Sequence, residues 1–265
     1  MRLFNCPRFL NTKSNSLPLV CTLMRRLTID QGNSFTKLTF FSGEKMVRHM
    51  ILDDDHMAKD LATILDDELT SSAIFSSVRS DVAFLENLLR SRTNLISLHS
   101  KLRLPFELKY ATPQSIGTDR LANAAGAVRR YQKKNCLVVD CGTCTTYTIL
   151  QNGALIGGAI SPGLDMRLNA LNHFTGKLPL VKFDNQWPEI IGDSTEASIT
   201  AGVIRAIVIE MDGMIKQYCS EISDLNVLLT GGMMQFFEAH LKSPIFAAPF
   251  LTPEGLHEIL LLNEN

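Results

Sequence analysis

Two short stretches of this chain place the same residue types at the same spacing. Leu27-Thr28-Ile29-Asp30-Gln31-Gly32-Asn33-Ser34 and Val138-Val139-Asp140-Cys141-Gly142-Thr143-Cys144-Thr145 each run from an apolar strand into Asp, a variable residue, Gly and small polar side chains. A carboxylate at a strand end can hold a hydrated Mg²⁺, which is usually bound through one or two carboxylates plus phosphate oxygens. Glycine lets the backbone approach a phosphate with no Cβ in the way. Asn33, Ser34, Thr143 and Thr145 offer hydrogen bonds to phosphate oxygens, and Lys37 adds a positive charge. One Asp-x-Gly turn would read as an ordinary polar hairpin, but two in matched contexts read as a phosphate-handling pair. Neither is a Walker loop, because no Gly-x-x-x-x-Gly-Lys-Ser/Thr string is present. A further Gly pair, Gly231-Gly232, follows the apolar run Leu228-Leu229 and precedes a helical pattern. Such a helix start suits anionic groups, though the signal is weak alone.

A third chemical element is Tyr110 to Arg120, in which Gly117 breaks the chain just before Thr118-Asp119-Arg120 and an Ala-rich helix to Tyr131. Asp119 reads either as a first-turn helix acid or as a base that accepts a substrate hydroxyl proton. Arg120 suits a carboxylate or phosphate, which its guanidinium meets as a fork. Other features invite weaker readings. Cys141-Gly142-Thr143-Cys144 is a Cys-x-x-Cys string, but no second one and no matched His pair completes a metal site. His49 and His56 flank Asp53-Asp54-Asp55, which reads as a solvated charged loop. Met233-Met234 and Phe236-Phe237 read as core, and the stripe Ile199, Val203, Ile207, Met211 as core or as a dimer face.

The elements that must position these residues follow from periodicity. Arg25–Asp30, Lys37–Phe41 and Lys45–Ile51 predict an antiparallel meander. A helix over His56–Leu69, a strand over Ser72–Val78 and a helix over Asp81–Leu89 follow. The second half repeats the beginning: strands over Cys136–Asp140, Thr145–Leu150 and Ala154–Ile160, with a turn at Asn152-Gly153. Helices follow over Leu164–His173 and Ser194–Tyr218, then a strand over Val227–Leu229 and a helix over Met233–Leu241. Thr252-Pro253 opens a last helix with Thr as its cap. The repetition predicts an α/β protein of two similar lobes with a cleft between them.

Length and composition agree. A chain of 265 residues, 45% hydrophobic and 20% charged, buries a real core and fits one large domain or two smaller ones. Its net charge of -1 gives no field for nucleic acid, and no apolar run spans a bilayer. Six cysteines are too few for a disulfide scaffold, which favours a cytoplasmic location. Residues 1–23 carry Arg2, Arg8 and Lys13 without an acid and lack periodicity. They read as a disordered, targeting or artefactual extension. The lobes are expected over 24–118 and 119–265, with the last helix able to pack back on the first.

In this order the motifs resemble those of the type III pantothenate kinases, of the sugar kinase/Hsp70/actin superfamily. Asp30 to Lys37 is similar to the family's first phosphate motif and Asp140 to Thr143 to its second. Tyr110 to Arg120 is similar to its Tyr-x-x-Pro-x-x-x-Gly-x-Asp-Arg element. Gly157 to Gly163, Gly192 to Thr195, and Ala248 to Leu251 with Gly255-Leu256 are similar to later segments. The resemblance implies two RNase H-like (actin-like ATPase) lobes and ATP-dependent phosphorylation of pantothenate, the first step toward coenzyme A. It implies Asp119 as general base, and Tyr110, Gly117, Thr118, Asp119, Arg120 and Thr195 around pantothenate, with Arg120 on its carboxylate. Asp30, Gln31, Gly32, Asn33, Ser34, Phe35, Thr36, Lys37 and Thr143 would hold ATP with Mg²⁺. Asp140 would bind a monovalent cation, K⁺ or NH₄⁺. A homodimer is implied, with no nucleic-acid or membrane partner.

Overall fold

The structure, a computed structural model, describes residues 25–53, 57–68 and 70–264. The expected N-terminal extension lies outside the described residues, as do Asp54, Asp55 and His56 of the acidic loop. The described chain up to Leu98, together with Glu264, forms one compact unit, and His99–Asn263 forms a second.

The first unit runs β1 (Arg25–Gln31), β2 (Thr36–Ser42), β3 (Lys45–Leu52), α1 (Met57–Asp67), β4 (Thr70–Ser77), α2 (Ala83–Arg90) and β5 (Asn94–Ser97). Its sheet has the order β3-β2-β1-β4-β5, with β1, β2 and β3 antiparallel and β4 and β5 parallel to β1. Side chains alternate across a strand, so one face of β1 and β2 presents Leu27, Ile29, Leu38 and Phe40. These pack with Leu61, Leu65, Leu85 and Leu89 of the two helices. The other face carries Thr28 and Asp30, in register with Thr39 and Lys37 of β2. Glu264 belongs here because its carboxylate accepts from Arg26 Nε (2.8 Å) and from the Ser72 hydroxyl.

The second unit begins with β6 (Glu107–Leu108), a 3-10 turn at Pro113–Ser115 and α3 (Thr118–Tyr131). It continues with β7 (Cys136–Cys141), β8 (Cys144–Gln151), β9 (Ala154–Pro162), α4 (Leu164–His173) and α5 (Thr195–Glu221). It ends with β10 (Asn226–Thr230), α6 (Met234–Glu238), β11 (Phe246–Ala247) and α7 (Leu251–Asn263). Its sheet has the order β11-β10-β7-β8-β9-β6. Read from β9 to β11, this repeats the order and directions of the first sheet, so the duplicated turns occupy equivalent places, one between β1 and β2 and the other between β7 and β8. Both sheets are RNase H-like in this order.

Three differences from the sequence reading have physical causes. β5, β6 and β11 are edge strands of four, two and two residues, too short to carry a period. β6 pairs with β9 through Glu107↔Ala154 and Leu108↔Leu155, which ties residues 99–118 to the second unit. The division therefore falls at Leu98/His99, where the sequence placed it at 118/119. Third, α7 starts at Leu251, so Thr252 lies inside its first turn and caps nothing; its hydroxyl donates to Asn123 Oδ1 (2.7 Å).

α7 packs on α3 within the second unit, and the contact is close because both helices put glycine there. A Cβ on Gly255 would collide with the Ala122 carbonyl, and one on Gly126 with the Leu251 carbonyl. Gly255→Ala is expected to destabilise the protein by about 1–3 kcal/mol, the usual range for overpacking. The denaturant midpoint checks it. The stripe Ile199, Val203, Ile207 and Met211 of α5 is core, buried with Leu137, Val139, Tyr147 and Phe237.

Candidate active site

In the first unit the turn after β1 is built by backbone. The Gly32 N–H donates to the Phe35 carbonyl (3.0 Å), closing a tight turn whose tip, Asn33, Ser34 and Phe35, is exposed. Asp30 stands beside it, opposite Lys37 on β2 and Ser76 on β4. Gln31 and Thr36 turn the other way. Gln31 is 2% exposed and its Oε1 accepts from the Ser77 hydroxyl (2.8 Å). Thr36 gives its hydroxyl to the Met57 sulfur (3.0 Å). Both side chains are structural, and only their backbone faces the turn.

In the second unit α3 positions Asp119 in its first turn, with Gly117 as the residue before the helix. Asp119 Oδ1 accepts from the Arg120 backbone N–H (2.8 Å). Gly117 makes this possible, since a Cβ there would collide with that same oxygen. The sequence left open a first-turn acid or a base; the carboxylate occupies the first-turn position, and its surroundings add basicity. Burial pushes the Asp119 pKa up, offset in part by the Arg120 N–H and guanidinium.

Arg120 is 3% exposed, and among the described residues its side-chain hydrogen bonds go to neutral groups. Nε donates to the Thr148 hydroxyl (3.1 Å) and Nη2 to the Gly157 carbonyl (3.0 Å), with longer contacts to the Tyr147 carbonyl and Tyr110 hydroxyl (both 3.5 Å). Tyr110 also lies under the guanidinium, 5.5 Å from its ring centroid. A desolvated cation among neutral acceptors is set to take an anion. The pocket depends on Gly158, whose φ of +142° suits glycine and whose missing Cβ would strike the Tyr147 carbonyl.

The second duplicated turn joins β7 to β8; burial raises the pKa of its Cys144, and the Asp119 charge adds to the rise. Thr143 is exposed at its tip, and its carbonyl accepts from the Gly163 N–H (3.1 Å). Asp140 Oδ2 accepts from Asn123 Nδ2 (2.7 Å), which continues to Thr252. Across from Asp140 in register stands Thr146, whose buried hydroxyl has no hydrogen-bond partner among the described residues. A carboxylate beside an orphaned hydroxyl is a donor set that fits a hard cation such as K⁺. Burial raises the Cys141 pKa strongly and that of Cys144 as well, so neither thiol of the Cys-x-x-Cys string is activated.

Thr195 begins α5, behind the capping Ser194, whose hydroxyl accepts from the Ala197 N–H (3.2 Å). With Gly192, Asp193, Leu171 and Leu178 it lines a cavity of about 840 Å³. Trp187 is placed by stacking on His240 (centroids 4.2 Å apart) and under the Arg205 guanidinium. His49 lies in β3, hydrogen-bonded to the Thr39 hydroxyl (2.8 Å), and burial and Lys37 lower its pKa.

Several site residues escaped the sequence reading. Asn123 left a signal, as a polar residue inside the buried Ala run of α3. Thr146 and Thr148 left another, a polar alternation on β8 beneath α3. Arg79 left none, since nothing in the sequence ties it to the first turn.

The family model for type III pantothenate kinases matches residues 26–217. A type III pantothenate kinase of Christiangramia forsetii is 40% identical over 246 residues, covering 90% of this chain and 98% of its own. One of Cytophaga hutchinsonii is 40% identical over 238 residues, covering 89% and 99%. Among solved structures, the ethanolamine utilization protein EutJ of Carboxydothermus hydrogenoformans has a TM-score of 0.52 at 14% identity, covering 89% of each chain, and shares the fold alone. Motif order, duplicated sheet and sequence match agree, and the chain belongs to the type III pantothenate kinase family, kinases that transfer phosphate to pantothenate.

Proposed function

We propose that Asp119 and Arg120 carry the ATP-dependent phosphorylation of pantothenate to 4′-phosphopantothenate, the first step of coenzyme A synthesis. The observation that carries this reading is the pair itself: a carboxylate made more basic by burial, next to a buried guanidinium whose hydrogen bonds among the described residues go to neutral groups. Arg120 takes the pantothenate carboxylate, with Tyr110, Gly117, Thr118 and Thr195 completing the pocket. That anchor fixes the far end of the substrate and directs its terminal hydroxyl to Asp119. Asp119 accepts the hydroxyl proton as the oxygen bonds to the γ-phosphorus. The bond from that phosphorus to the bridging oxygen breaks, and ADP leaves.

Such transfer needs positioning and charge neutralisation more than covalent chemistry. Residues Asp30 to Lys37 and Thr143 supply these to ATP and its Mg²⁺, the turns through backbone N–H groups and Lys37 through charge. Asp140 and Thr146 would hold the monovalent cation, which would supply positive charge for neutralising the transferred phosphate. The protein works as a homodimer, supported by the exposed Ile160, Ile190, Ile191 and Ile209. Its location is the cytoplasm. Among the described residues no helix is long and apolar enough to cross a membrane.

The test is pantothenate-dependent conversion of ATP to ADP, with K⁺ and with Na⁺ in its place. Turnover with K⁺ and little with Na⁺ is the expected result, and Thr146→Val should raise the K⁺ concentration needed. No turnover under any condition overturns the assignment of these residues.

A further inference from the structure

Arg79, in the segment that leaves β4, belongs to no motif of the sequence and is absent from the reaction as described. Its Nε donates to the Gly32 carbonyl (2.7 Å) and its Nη2 to the Asn33 carbonyl (3.3 Å). Its own position is fixed from behind. The Arg79 backbone N–H donates to the Ser77 hydroxyl (3.0 Å), which donates to the Gln31 carboxamide (2.8 Å). The Val78 N–H donates to the Gln31 carbonyl (3.2 Å). The exit of β4 is thus zipped to the first turn over three residues.

A peptide unit is planar and trans, so its carbonyl and the N–H of the next residue point in opposite directions. The Gly32 carbonyl shares its plane with the Asn33 N–H, and the Asn33 carbonyl with the Ser34 N–H. Drawing both carbonyls to one guanidinium therefore turns two successive N–H groups the other way, out of the exposed tip. Successive N–H groups in a turn form an anion-binding concavity. Without Arg79 either peptide can flip and aim its carbonyl dipole at the ligand instead. A fork is needed to hold two carbonyls at once, which an ammonium on a flexible stem does not do.

We infer that Arg79 is a positioning residue for phosphate binding: it sets the peptide orientation of the Gly32–Ser34 turn so that its N–H groups face the nucleotide's phosphates. This rests on the reading of Asp30 to Lys37 as the ATP turn. Arg79 touches carbonyls rather than substrate, so its effect should fall on the phosphates and spare the nucleoside. The test is calorimetric binding of ATP, ADP and adenosine to wild type, Arg79→Met and Arg79→Lys, with KM and kcat alongside. Losing a charge-assisted contact weakens the dependent interaction by about tenfold. Arg79→Met should thus lose about tenfold in ATP and ADP affinity, keep adenosine affinity and the KM for pantothenate, and raise the KM for ATP more than it lowers kcat. Arg79→Lys should recover only part. Arg79→Met binding ATP as wild type does, or losing adenosine as much as ATP, overturns the inference. So does full recovery by Arg79→Lys, a result that remains readable if the Met variant fails to fold. Failure of the nucleotide reading itself is distinct: the wild-type protein would then not bind ATP, and the inference would fall with it.

Discussion

Asp119→Asn is expected to lower kcat by about 10²-fold or more, the usual scale for losing a general base, while leaving ATP affinity within about twofold. The amide keeps the shape of the carboxylate and can still accept from the Arg120 N–H through its oxygen, so the first turn of α3 should stay intact. What is lost is the ability to take the proton. The same variant should be more stable than wild type at pH 7. Burial raises the folded pKa of Asp119 above its unfolded value near 3.8, so the folded state prefers the protonated carboxyl. The resulting stability contribution is fully present below the unfolded pKa and is lost as pH rises through the folded one. An asparagine is neutral throughout, so its advantage should be present at pH 7 and vanish in acid. Melting temperatures at pH 7 and pH 3.5 check this, and the acid limb of the wild-type kcat/KM profile should lie above the ordinary carboxylate range. Normal turnover by Asp119→Asn would remove the base assignment.

Arg120→Met is expected to raise the KM for pantothenate by about 10- to 100-fold, since a hydrogen bond to a charged group contributes roughly 1.5–3 kcal/mol. The KM for ATP should move little. Stability offers a second readout. Breaking a buried ion pair from one side costs about 3–5 kcal/mol, because a charge is left without its partner. The side-chain hydrogen bonds of Arg120 go to Thr148, Tyr110 and the carbonyls of Tyr147 and Gly157, so the substitution breaks no hydrogen-bonded ion pair and removes only the nearby charge that offsets the burial of Asp119. A smaller loss than that range is therefore expected in a denaturant titration. A large stability loss with an unchanged KM would make Arg120 a structural residue.

The duplicated architecture was legible along the chain because it rests on local patterns. Period-2 alternation in β1, β2, β7 and β8, the Asn152-Gly153 turn and the long amphipathic α5 all follow from nearest-neighbour chemistry. The paired Asp-x-Gly turns were visible for the same reason, as was the Tyr110–Arg120 element by its resemblance to a family. The division between units was not visible, because a two-residue strand such as β6 shows itself only through its partner β9.

The chain alone also settled which residue types are available for phosphoryl transfer and in what order they come. Which way they point was decided in three dimensions. Gln31 and Thr36 sit in the first motif yet face the core, because the pleat alternates and Asp30 takes the opposite face. Thr146 meets Asp140 through the local β7–β8 pairing, whereas Asn123 and Thr252 lie far apart in sequence and are linked to it only because α7 packs on α3. Arg79 reaches the first turn because β4 runs parallel beside β1, a pairing no local pattern encodes. Hydrogen bonds and burial act over a few ångströms of space whatever the separation along the chain. The inventory of the site is therefore sequential, while its basicity, its anion pocket and the direction of its dipoles are tertiary.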